Sequence, residues 1–317
     1  PEAELGLVRS LIMRGQYLIA LEKLEKLSEK IQQQPQAALL KAYAFLQSGE
    51  NTQANEVARA VLGIVPEHPM ALYIAGVASY FLGQTETAYT FLQAYLQKFP
   101  NNVTARKIFA ATQIEEGDGA AAFNTLSEVE GDIEDSEYLL LLSTALAYAG
   151  DPAGSLEYLE RYLRNNPGDV VTRARLAALK VALGKGDAGL AEFEEALRQD
   201  PDNFELELRL GMAALKVGKL DRAAGIARDI QAKYPEDVNG FKLEGFVHVR
   251  NKEIGMARAK FEKVLAMAPG DFESAFNLVQ LERVAHRYDR AIEIAATYLE
   301  WNPDDLAMLL RLSLIHI

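Results

Sequence analysis

One segment of the sequence has the spacing of a phosphate-binding loop. Residues 184–189 read Gly-Lys-Gly-Asp-Ala-Gly, which satisfies the G-x-G-x-x-G pattern that brings a backbone close to the pyrophosphate of a dinucleotide. That chemistry requires a preceding β-strand and a βαβ unit. The segment instead lies between two helical patterns, in phase with Gly150 and Gly218. We therefore interpret it as a turn between helices.

The other residues capable of catalysis or metal binding are scattered. His68, His248, His286 and His316 belong to no H-E-x-x-H motif, and the sequence has no G-x-S-x-G motif. Cysteine is absent, which excludes disulfides, thiol catalysis and cysteine-bound zinc. We predict that the chain is not an enzyme and has no catalytic residues, metal site or cofactor.

Charge and hydropathy argue against a calcium loop, a nucleic-acid partner and a transmembrane segment. Acidic residues cluster at 115–116, 128–135 and 194–195, without the alternating oxygen ligands of a calcium loop, so we interpret them as solvated surface. The net charge of −12 repels phosphate backbones, and we expect no nucleic-acid partner. No apolar run reaches the roughly 18 residues of a membrane helix, so we predict no transmembrane segment.

Three residue types recur with one period of about 34 residues and one phase, which indicates an internal repeat. The prolines of the series are Pro66, Pro100, Pro167, Pro201, Pro235, Pro269 and Pro303. The glycines are Gly15, Gly49, Gly83, Gly117, Gly150, Gly184 and Gly218. The small residues are Ala20, Ala54, Ala88, Ala122, Ser155, Gly189, Ala223, Ala257 and Ala291.

This register predicts nine consecutive repeats over residues 1–305. Their bounds are 1–34, 35–68, 69–102, 103–135, 136–169, 170–203, 204–237, 238–271 and 272–305. The fourth repeat is one residue shorter, and Gly131-Asp132-Ile133 replaces its Asn/Asp-Pro corner. We interpret 306–317 as the truncated start of a tenth repeat and 312–317 as a tail translated from a sequencing adapter. Because the chain starts at Pro1, we expect its natural start to lie upstream.

Each repeat is predicted to contain two antiparallel α-helices. In the seventh repeat, residues 204–217 and 220–233 have helical apolar spacing, and Gly218 accepts the left-handed conformation that ends a helix. Pro235 cannot continue the second helix. No segment alternates with the period of two expected of a strand, so we predict none.

Small residues are predicted to bring the two helices of a repeat close together. The eighth repeat position is expected to face the small series of the second helix, and larger residues to fill the gap to the next repeat. The eighth-position residues are Ala42, Gly76, Ala110, Ser143, Ala177, Gly211 and Gly245. The larger residues are Leu92, Leu126, Leu159, Phe193 and Phe261. One helix pair cannot bury its apolar face alone, so the repeats must stack.

The glycine, alanine and proline series, with Tyr17 and Tyr288 just after the inter-helix turn, resembles the tetratricopeptide-repeat (TPR) family over essentially the whole chain. The resemblance implies an all-α fold, a right-handed TPR α-solenoid superhelix of antiparallel helix pairs. It also implies that the chain binds a protein or peptide partner. The early position that often holds Trp in the family varies here, from Leu72 to Arg106 and Glu207.

A narrower resemblance concerns short runs at 71–73, 91–96, 105–111 and 158–160. They resemble the TPR-repeat lipoproteins of PEP-CTERM/exosortase systems, which accompany exopolysaccharide and protein-sorting loci in Gram-negative bacteria. This resemblance implies a periplasmic or outer-membrane-associated protein with a lipid anchor upstream of Pro1. The alternative location is the cytoplasm.

In TPR proteins the first helix of each repeat lines a concave groove, and the resemblance extends that role to an exposed stripe of this chain. The predicted groove residues are Leu39, Tyr43, Met70, Tyr73, Val77, Lys107, Lys242, Phe246, Phe276 and Asn277. Lys107 and Lys242 occupy the lysine position of the TPR clamp for C-terminal carboxylates, but Ala111 and Phe246 stand where that clamp has asparagine. We therefore expect apolar or aromatic anchors in the partner. The alternative is that these side chains pack against neighbouring first helices.

We predict a non-catalytic protein–protein interaction scaffold in a bacterial envelope assembly linked to exopolysaccharide or protein sorting. Two alternatives stay open. The repeats are the recognition arm of a larger enzyme such as a glycosyltransferase, or they form a cytoplasmic TPR regulator. The sequence names neither the partner nor the oligomeric state.

Overall fold

The computed structural model describes residues 2–32, 34–128 and 135–315. These three segments contain twenty α-helices and no β-strand, which confirms the predicted all-α fold. The helices are α1 (Glu2–Met13), α2 (Tyr17–Glu25), α3 (Glu29–Gln32), α4 (Pro35–Gln47), α5 (Asn51–Ile64), α6 (Pro69–Phe81), α7 (Thr85–Lys98), α8 (Val103–Glu115), α9 (Gly119–Ser127), α10 (Ser136–Tyr148), α11 (Pro152–Asn165), α12 (Val170–Ala182), α13 (Gly186–Gln199), α14 (Phe204–Val217), α15 (Leu220–Lys233), α16 (Asn239–Arg250), α17 (Ile254–Met267), α18 (Phe272–Val284), α19 (Tyr288–Trp301) and α20 (Leu306–Ile315). The Gly131-Asp132-Ile133 corner lies outside the described residues.

The chain divides into two compact units, Pro1–Asn166 and Pro167–Ile317, which we call the N-terminal unit and the C-terminal unit. In each, helices that follow one another pack as pairs, such as α4 with α5 and α14 with α15. Alternate helices also touch. In the N-terminal unit α4 contacts α6, which contacts α8, and in the C-terminal unit α12 contacts α14, which contacts α16. Each unit therefore has a row of first helices, as the repeat pattern predicts.

Short polar side chains and one turn glycine set the helix boundaries. The carboxylate of Asp169 and the amide oxygen of Asn203 accept hydrogen bonds from the backbone N–H three residues later, at 3.0 and 3.1 Å, and so cap α12 and α14. Gly218 ends α14 with a φ of 83°. The helix bounds predicted for the seventh repeat, 204–217 and 220–233, are confirmed.

The turn residue is not glycine in the last two complete repeats. Lys252 has a φ of 64° and His286 a φ of 57°, at the repeat position that Gly218 occupies in the seventh repeat. A residue with a Cβ atom is disfavoured in this left-handed conformation by roughly 1–2 kcal/mol. These two turns therefore carry backbone strain that the equivalent glycine turns avoid.

Lys252→Gly is expected to raise the free energy of unfolding by about 0.5–1 kcal/mol, because glycine removes the strain but adds entropy to the unfolded chain. Urea unfolding followed by circular dichroism measures the change. The matched control is the reciprocal substitution Gly218→Lys at the equivalent turn, which should lower stability by a similar amount. Equal stabilities for the three proteins would contradict the strain argument.

The three glycines of residues 184–189 all have structural roles. Gly184 is in the turn with a φ of 76°. A Cβ atom on Gly186 would lie 2.4 Å from Val217 Cγ1, and one on Gly189 would lie 2.7 Å from the carbonyl oxygen of Ala177. The segment joins α12 to α13. Gly184 and Lys185 form the turn between helices that was predicted from the phase, and residues 186–189 are the first turn of α13.

The predicted contact between small residues is present in the fifth repeat. The hydroxyl groups of Ser143 and Ser155 lie 2.9 Å apart and are buried. Ser143 occupies the eighth repeat position and Ser155 belongs to the small series of the second helix. The two helices therefore approach closely enough for serine side chains to bond directly.

In the third and eighth repeats the eighth-position glycine faces a large side chain of its own repeat. A Cβ atom on Gly76 would lie 2.7 Å from Leu92 Cγ, and one on Gly245 would lie 2.7 Å from Phe261 Cε1. Leu92 and Phe261 were predicted to fill the gap to the next repeat. That prediction was incomplete, because both side chains also occupy the space left by the glycine within the repeat.

Two charged side chains at the variable Trp position, Arg106 and Glu207, are buried and paired. Arg106, 5% exposed, forms an ion pair with Glu128 at 2.9 Å, and Glu207, 6% exposed, accepts from Lys233 at 3.0 Å. Each partner lies after or on the second helix of the same repeat. Pairing and hydrogen bonding keep these buried charges from being left uncompensated.

Across residues 2–32, 34–128 and 135–315, no helix has both the length and the apolar character needed to cross a bilayer. Over the same ranges, no group of three or more His, Asp or Glu side chains is placed to hold a metal ion.

Candidate functional site

The first helices of the first three repeats border a concave surface in the N-terminal unit, and the concavity has a volume of about 870 Å³. We call it the apolar groove. Side chains from α1, α4 and α6 line it, among them Arg9, Ile12, Leu39, Leu40, Tyr43 and Met70. None of its described lining residues is acidic, although the chain as a whole has a net charge of −12. The surface is thus suited to apolar groups.

Three of the predicted groove residues meet here, namely Leu39 and Tyr43 from α4 and Met70 from α6. Met70 is 45% exposed, so its thioether side chain is available to a partner. Arg9 and Ile12 from α1 were not predicted. Arg9 occupies the same repeat position as Tyr43, and that shared register is the signal that identifies it.

A second concavity of about 480 Å³ lies farther along the same row of helices. It brings together three more predicted residues, Tyr73 and Val77 from α6 and Lys107 from α8. Glu137 from α10 and Tyr80 from α6 also line it. This second concavity is therefore more polar than the apolar groove.

The groove tyrosines are neutral phenols at physiological pH. Burial raises the pKa of Tyr73 to about 12, with a further contribution from the nearby phenols of Tyr43 and Tyr95. Burial and then Tyr17 raise the pKa of Tyr43. The ring of Tyr73 packs 5.3 Å from that of Tyr95. Each phenol can therefore offer an apolar ring and a hydroxyl donor.

Two predicted residues are less accessible than expected. Leu39 is 9% and Val77 4% exposed, and both belong to the hydrophobic core of the N-terminal unit. Their predicted exposure is wrong. First helices contact helices on several sides, as α4 does with α2, α5 and α6, so only a narrow strip of each remains open. Leu39 and Val77 form the floor of the concavities, whereas Met70 projects from the rim.

Sequence profiles of the tetratricopeptide repeat match residues 5–69, 39–103 and 175–238, and a second such profile matches residues 249–312. Together these matches cover more than half of the chain. The chain belongs to the tetratricopeptide-repeat family.

Individual relatives are distant. A DnaJ homolog subfamily C member 7 homolog from Schizosaccharomyces pombe is 25% identical over 81% of this chain, which spans 63% of the length of that relative. A tetratricopeptide repeat protein from Parabacteroides merdae is 20% identical, with a TM-score of 0.51 over 78% of this chain and 98% of its own. The C-terminal part of a TPR repeat-containing protein from Cytophaga hutchinsonii is 13% identical, with a TM-score of 0.53 over 86% and 99%. At these identities the likeness concerns the TPR fold.

The two lysines at the TPR clamp position are used inside the protein. Lys107 lies 3.4 Å from Asp135 and also binds Glu137, while Lys242 lies 2.9 Å from Asp271 and 3.1 Å from Glu273. In both cases the acids stand at the start of the next first helix. The lysines therefore tie neighbouring TPR repeats together and are not free groove cations.

The pKa values of these lysines follow from the same contacts. Burial alone would lower the pKa of Lys107, but its hydrogen bonds and charge interactions with Glu137 and Asp135 outweigh burial and raise it. For Lys242, Asp271 and Glu273 outweigh burial in the same way and raise the pKa. Both lysines are protonated at neutral pH, and their charge is already compensated.

The remaining predicted residues of the C-terminal unit are engaged in packing. The ring of Phe246 lies 5.4 Å from that of Phe261, and the ring of Phe276 lies 5.5 Å from that of Phe272. Asn277 donates from Nδ2 to the carbonyl oxygen of Glu273 at 2.7 Å. Phe246 therefore packs against the second helix of its own repeat, and Phe276 packs against a ring of its own helix. Neither of these contacts is with a neighbouring first helix, so the groove role of both residues stays a prediction. Asn277 bonds within its own helix.

Proposed function

We propose that this TPR protein is an interaction scaffold whose apolar groove holds a segment of a partner protein through apolar or aromatic side chains. Proteins of the TPR family bind protein partners. The observation that supports this site is the convergence of Leu39, Tyr43 and Met70 on one concave surface without acidic lining residues. An apolar anchor buried there gains roughly 25 cal/mol per Å² of apolar area removed from water.

The helices α4 and α6 line both concavities of the N-terminal unit. A partner segment that lies along them would reach Tyr80, Lys107 and Glu137 after leaving the apolar groove. We therefore propose a segment with an apolar or aromatic anchor and an adjoining polar part. The compensated charge of Lys107 argues against a bare C-terminal carboxylate as the main contact, and Ala111 offers no amide where the clamp has asparagine.

Met70→Glu is expected to weaken binding of such segments at least tenfold, because it places a carboxylate on the rim of an apolar site. Peptides are first selected by the wild-type chain from a phage-displayed library of random 12-residue sequences. Fluorescence anisotropy then measures the affinity of the enriched peptides for both proteins. Met13→Glu is the matched control, because Met13 is 82% exposed and lines neither concavity.

The proposal requires enrichment of apolar and aromatic residues and loss of affinity in Met70→Glu with retention in Met13→Glu. Circular dichroism and thermal unfolding establish that both variants are folded. Peptides that bind Met70→Glu as tightly as wild type would remove the apolar groove from the proposal. Equal losses in the two variants would indicate a general charge effect and would also count against it.

We further propose that the scaffold is non-catalytic and acts in a Gram-negative envelope assembly, in the periplasm or at the outer membrane. The support is the resemblance of residues 71–73, 91–96, 105–111 and 158–160 to TPR lipoproteins of PEP-CTERM/exosortase systems. Cell fractionation of the intact gene product in its native host tests the location. Recovery in the cytoplasmic fraction would favour the regulator alternative, and a catalytic domain encoded in the same gene would favour the recognition arm of a larger enzyme.

A further inference from the structure

The C-terminal unit has a concave surface of its own, with a volume of about 690 Å³. It is bordered by the first helices α12, α14 and α16 and by α13. Its apolar floor includes Val181, Phe193, Leu208 and Met212, of which Met212 is 42% exposed. None of these residues belongs to the predicted groove stripe. We call this surface the basic concavity, because three basic side chains line it.

The rim of the basic concavity is positive. Arg209, Lys216 and Arg250 line it with one acidic residue, Glu205. Arg209 and Glu205 form an ion pair at 2.7 Å and largely compensate each other. Within the described residues, Lys216 and Arg250 are exposed and no ion pair or side-chain hydrogen bond involves them. Two uncompensated cations thus flank an apolar floor in a protein with a net charge of −12.

The repeat pattern does not require a cation at the position that Lys216 and Arg250 share. Lys216 lies in the last turn of α14 and Arg250 is the last residue of α16, at the same repeat position on first helices that touch. Cations near a helix C-terminus gain about 0.3–1 kcal/mol from the helix dipole, which explains why they are tolerated. The equivalent position holds Gln47, Phe81 and Tyr148 in other repeats, so a cation there is not a general requirement.

We propose that the basic concavity binds an acidic segment of a partner protein, with carboxylates on Lys216 and Arg250 and an apolar side chain on Met212 and Leu208. Met212 lies one helical turn before Lys216, on the same face of α14. One short segment with an apolar residue next to acidic ones therefore matches both features. This site is separate from the apolar groove and does not depend on it.

The observations favour an acidic polypeptide over a nucleic acid. Two free cations neutralise few phosphates, and the overall negative charge repels a polyanionic backbone. The apolar floor has the character of a peptide site, which is concave and apolar with a few placed charges. An acidic peptide also loses less to long-range repulsion, because it carries fewer charges per unit length than a nucleic acid.

The same phage-displayed 12-residue library tests the proposal when selected in parallel on the wild-type chain and on Lys216→Glu/Arg250→Glu. We expect a set of peptides rich in Glu and Asp beside an apolar residue to be enriched by the wild type and absent from the variant. The control is Arg59→Glu/Arg228→Glu, which makes the same change in net charge. Arg59 and Arg228 are exposed on second helices at equivalent repeat positions and line none of the three concavities.

Anisotropy then measures one enriched acidic peptide and its Glu→Gln version against the three proteins. We expect Lys216→Glu/Arg250→Glu to lower the affinity for the acidic peptide about tenfold or more, and the control to change this affinity less than threefold. The Gln peptide should bind the wild type about tenfold more weakly than the acidic peptide does. Met212→Ser should lower the affinity for both peptides. Circular dichroism confirms folding of each variant.

Four results would overturn the proposal. They are no enrichment of acidic peptides by the wild type, equal enrichment by Lys216→Glu/Arg250→Glu, an equal loss in the Arg59→Glu/Arg228→Glu control, or tighter binding of a single-stranded oligonucleotide than of the peptide at the same salt concentration. The apolar groove is tested separately, because its peptides should be retained by Lys216→Glu/Arg250→Glu and lost by Met70→Glu.

Discussion

Phe261→Ala is expected to lower the free energy of unfolding by about 3–5 kcal/mol, the range for removing a buried aromatic ring. Phe261 is 0% exposed, and its ring lies against Gly245 in the first helix of its own repeat and against the ring of Phe246. Alanine would remove both contacts and leave a cavity between α16 and α17. Interiors are close-packed, so the neighbouring side chains are expected to relax only partially into this cavity.

A double-mutant cycle with Gly245→Ala tests the contact itself. In the wild type, the new Cβ atom would lie 2.7 Å from Phe261 Cε1 and 3.0 Å from Cζ, so Gly245→Ala should destabilise. In Phe261→Ala the ring is absent, so the methyl group of the new alanine at position 245 enters the vacated space. Alanine is also a better helix former than the glycine it replaces. We therefore expect Gly245→Ala to stabilise the Phe261→Ala protein and destabilise the wild type.

Urea unfolding followed by circular dichroism gives the four free energies of the cycle. Stacked repeats can unfold in parts, so hydrogen exchange of the amides in α16 and α17 serves as a local measurement. Faster exchange should be strongest in these two helices. Strictly additive effects of the two substitutions would contradict the assignment of Phe261 to the space above Gly245.

The helix arrangement could be predicted because its signals are local and repeated. Glycine at the inter-helix turn in seven repeats and proline after the second helix in seven repeats mark helix ends, and these recurring signals reinforce one another. Lys252 escaped prediction because it adopts the left-handed turn without glycine. There the flanking helices, and not the residue itself, determine the backbone conformation.

The groove could be predicted only in part, because exposure depends on neighbours that one repeat does not reveal. Helical spacing placed Leu39 and Met70 on the same stripe, but packing of α4 among α2, α5 and α6 buries Leu39 and leaves Met70 open. For Lys107, the sequence contains the missing information one repeat later, as Asp135 and Glu137 at the start of the next first helix. An acidic residue one repeat after each first-helix lysine is therefore the sequence signal for these ion pairs.

The basic concavity has a weaker sequence signal. Lys216 and Arg250 are basic residues in the last turns of two helices, where cations are common for electrostatic reasons alone. Only the structure places both of them beside Met212 and assigns the other nearby cation, Arg209, to Glu205. The distinction between a compensated and an uncompensated charge depends on geometry between helices, which the repeat period does not encode.

Gly211→Leu is expected to lower the free energy of unfolding by roughly 1–3 kcal/mol, the cost of overpacking a filled interior. A Cβ atom at this position would lie 2.4 Å from Leu243 Cδ2 and 3.0 Å from Ile226 Cγ2. Leu243 is 0% exposed and belongs to the first helix of the next repeat. The substitution therefore pushes α14 away from both α15 and α16. A thermal unfolding midpoint equal to that of the wild type would contradict the packing register.

Gly225→Leu separates this packing effect from the general effect of removing a helical glycine. Gly225 lies on α15, the partner helix in the same repeat, and a Cβ atom there would have no atom within 4 Å. Because glycine costs about 1 kcal/mol in a helix interior relative to better helix formers, Gly225→Leu should raise stability by up to about 1 kcal/mol. The two substitutions introduce the same side chain into paired helices, so opposite signs are expected from packing alone. A destabilisation of equal size at both sites would mean that the leucine side chain is poorly accommodated anywhere in this repeat, and the close approach at Gly211 would lose its support.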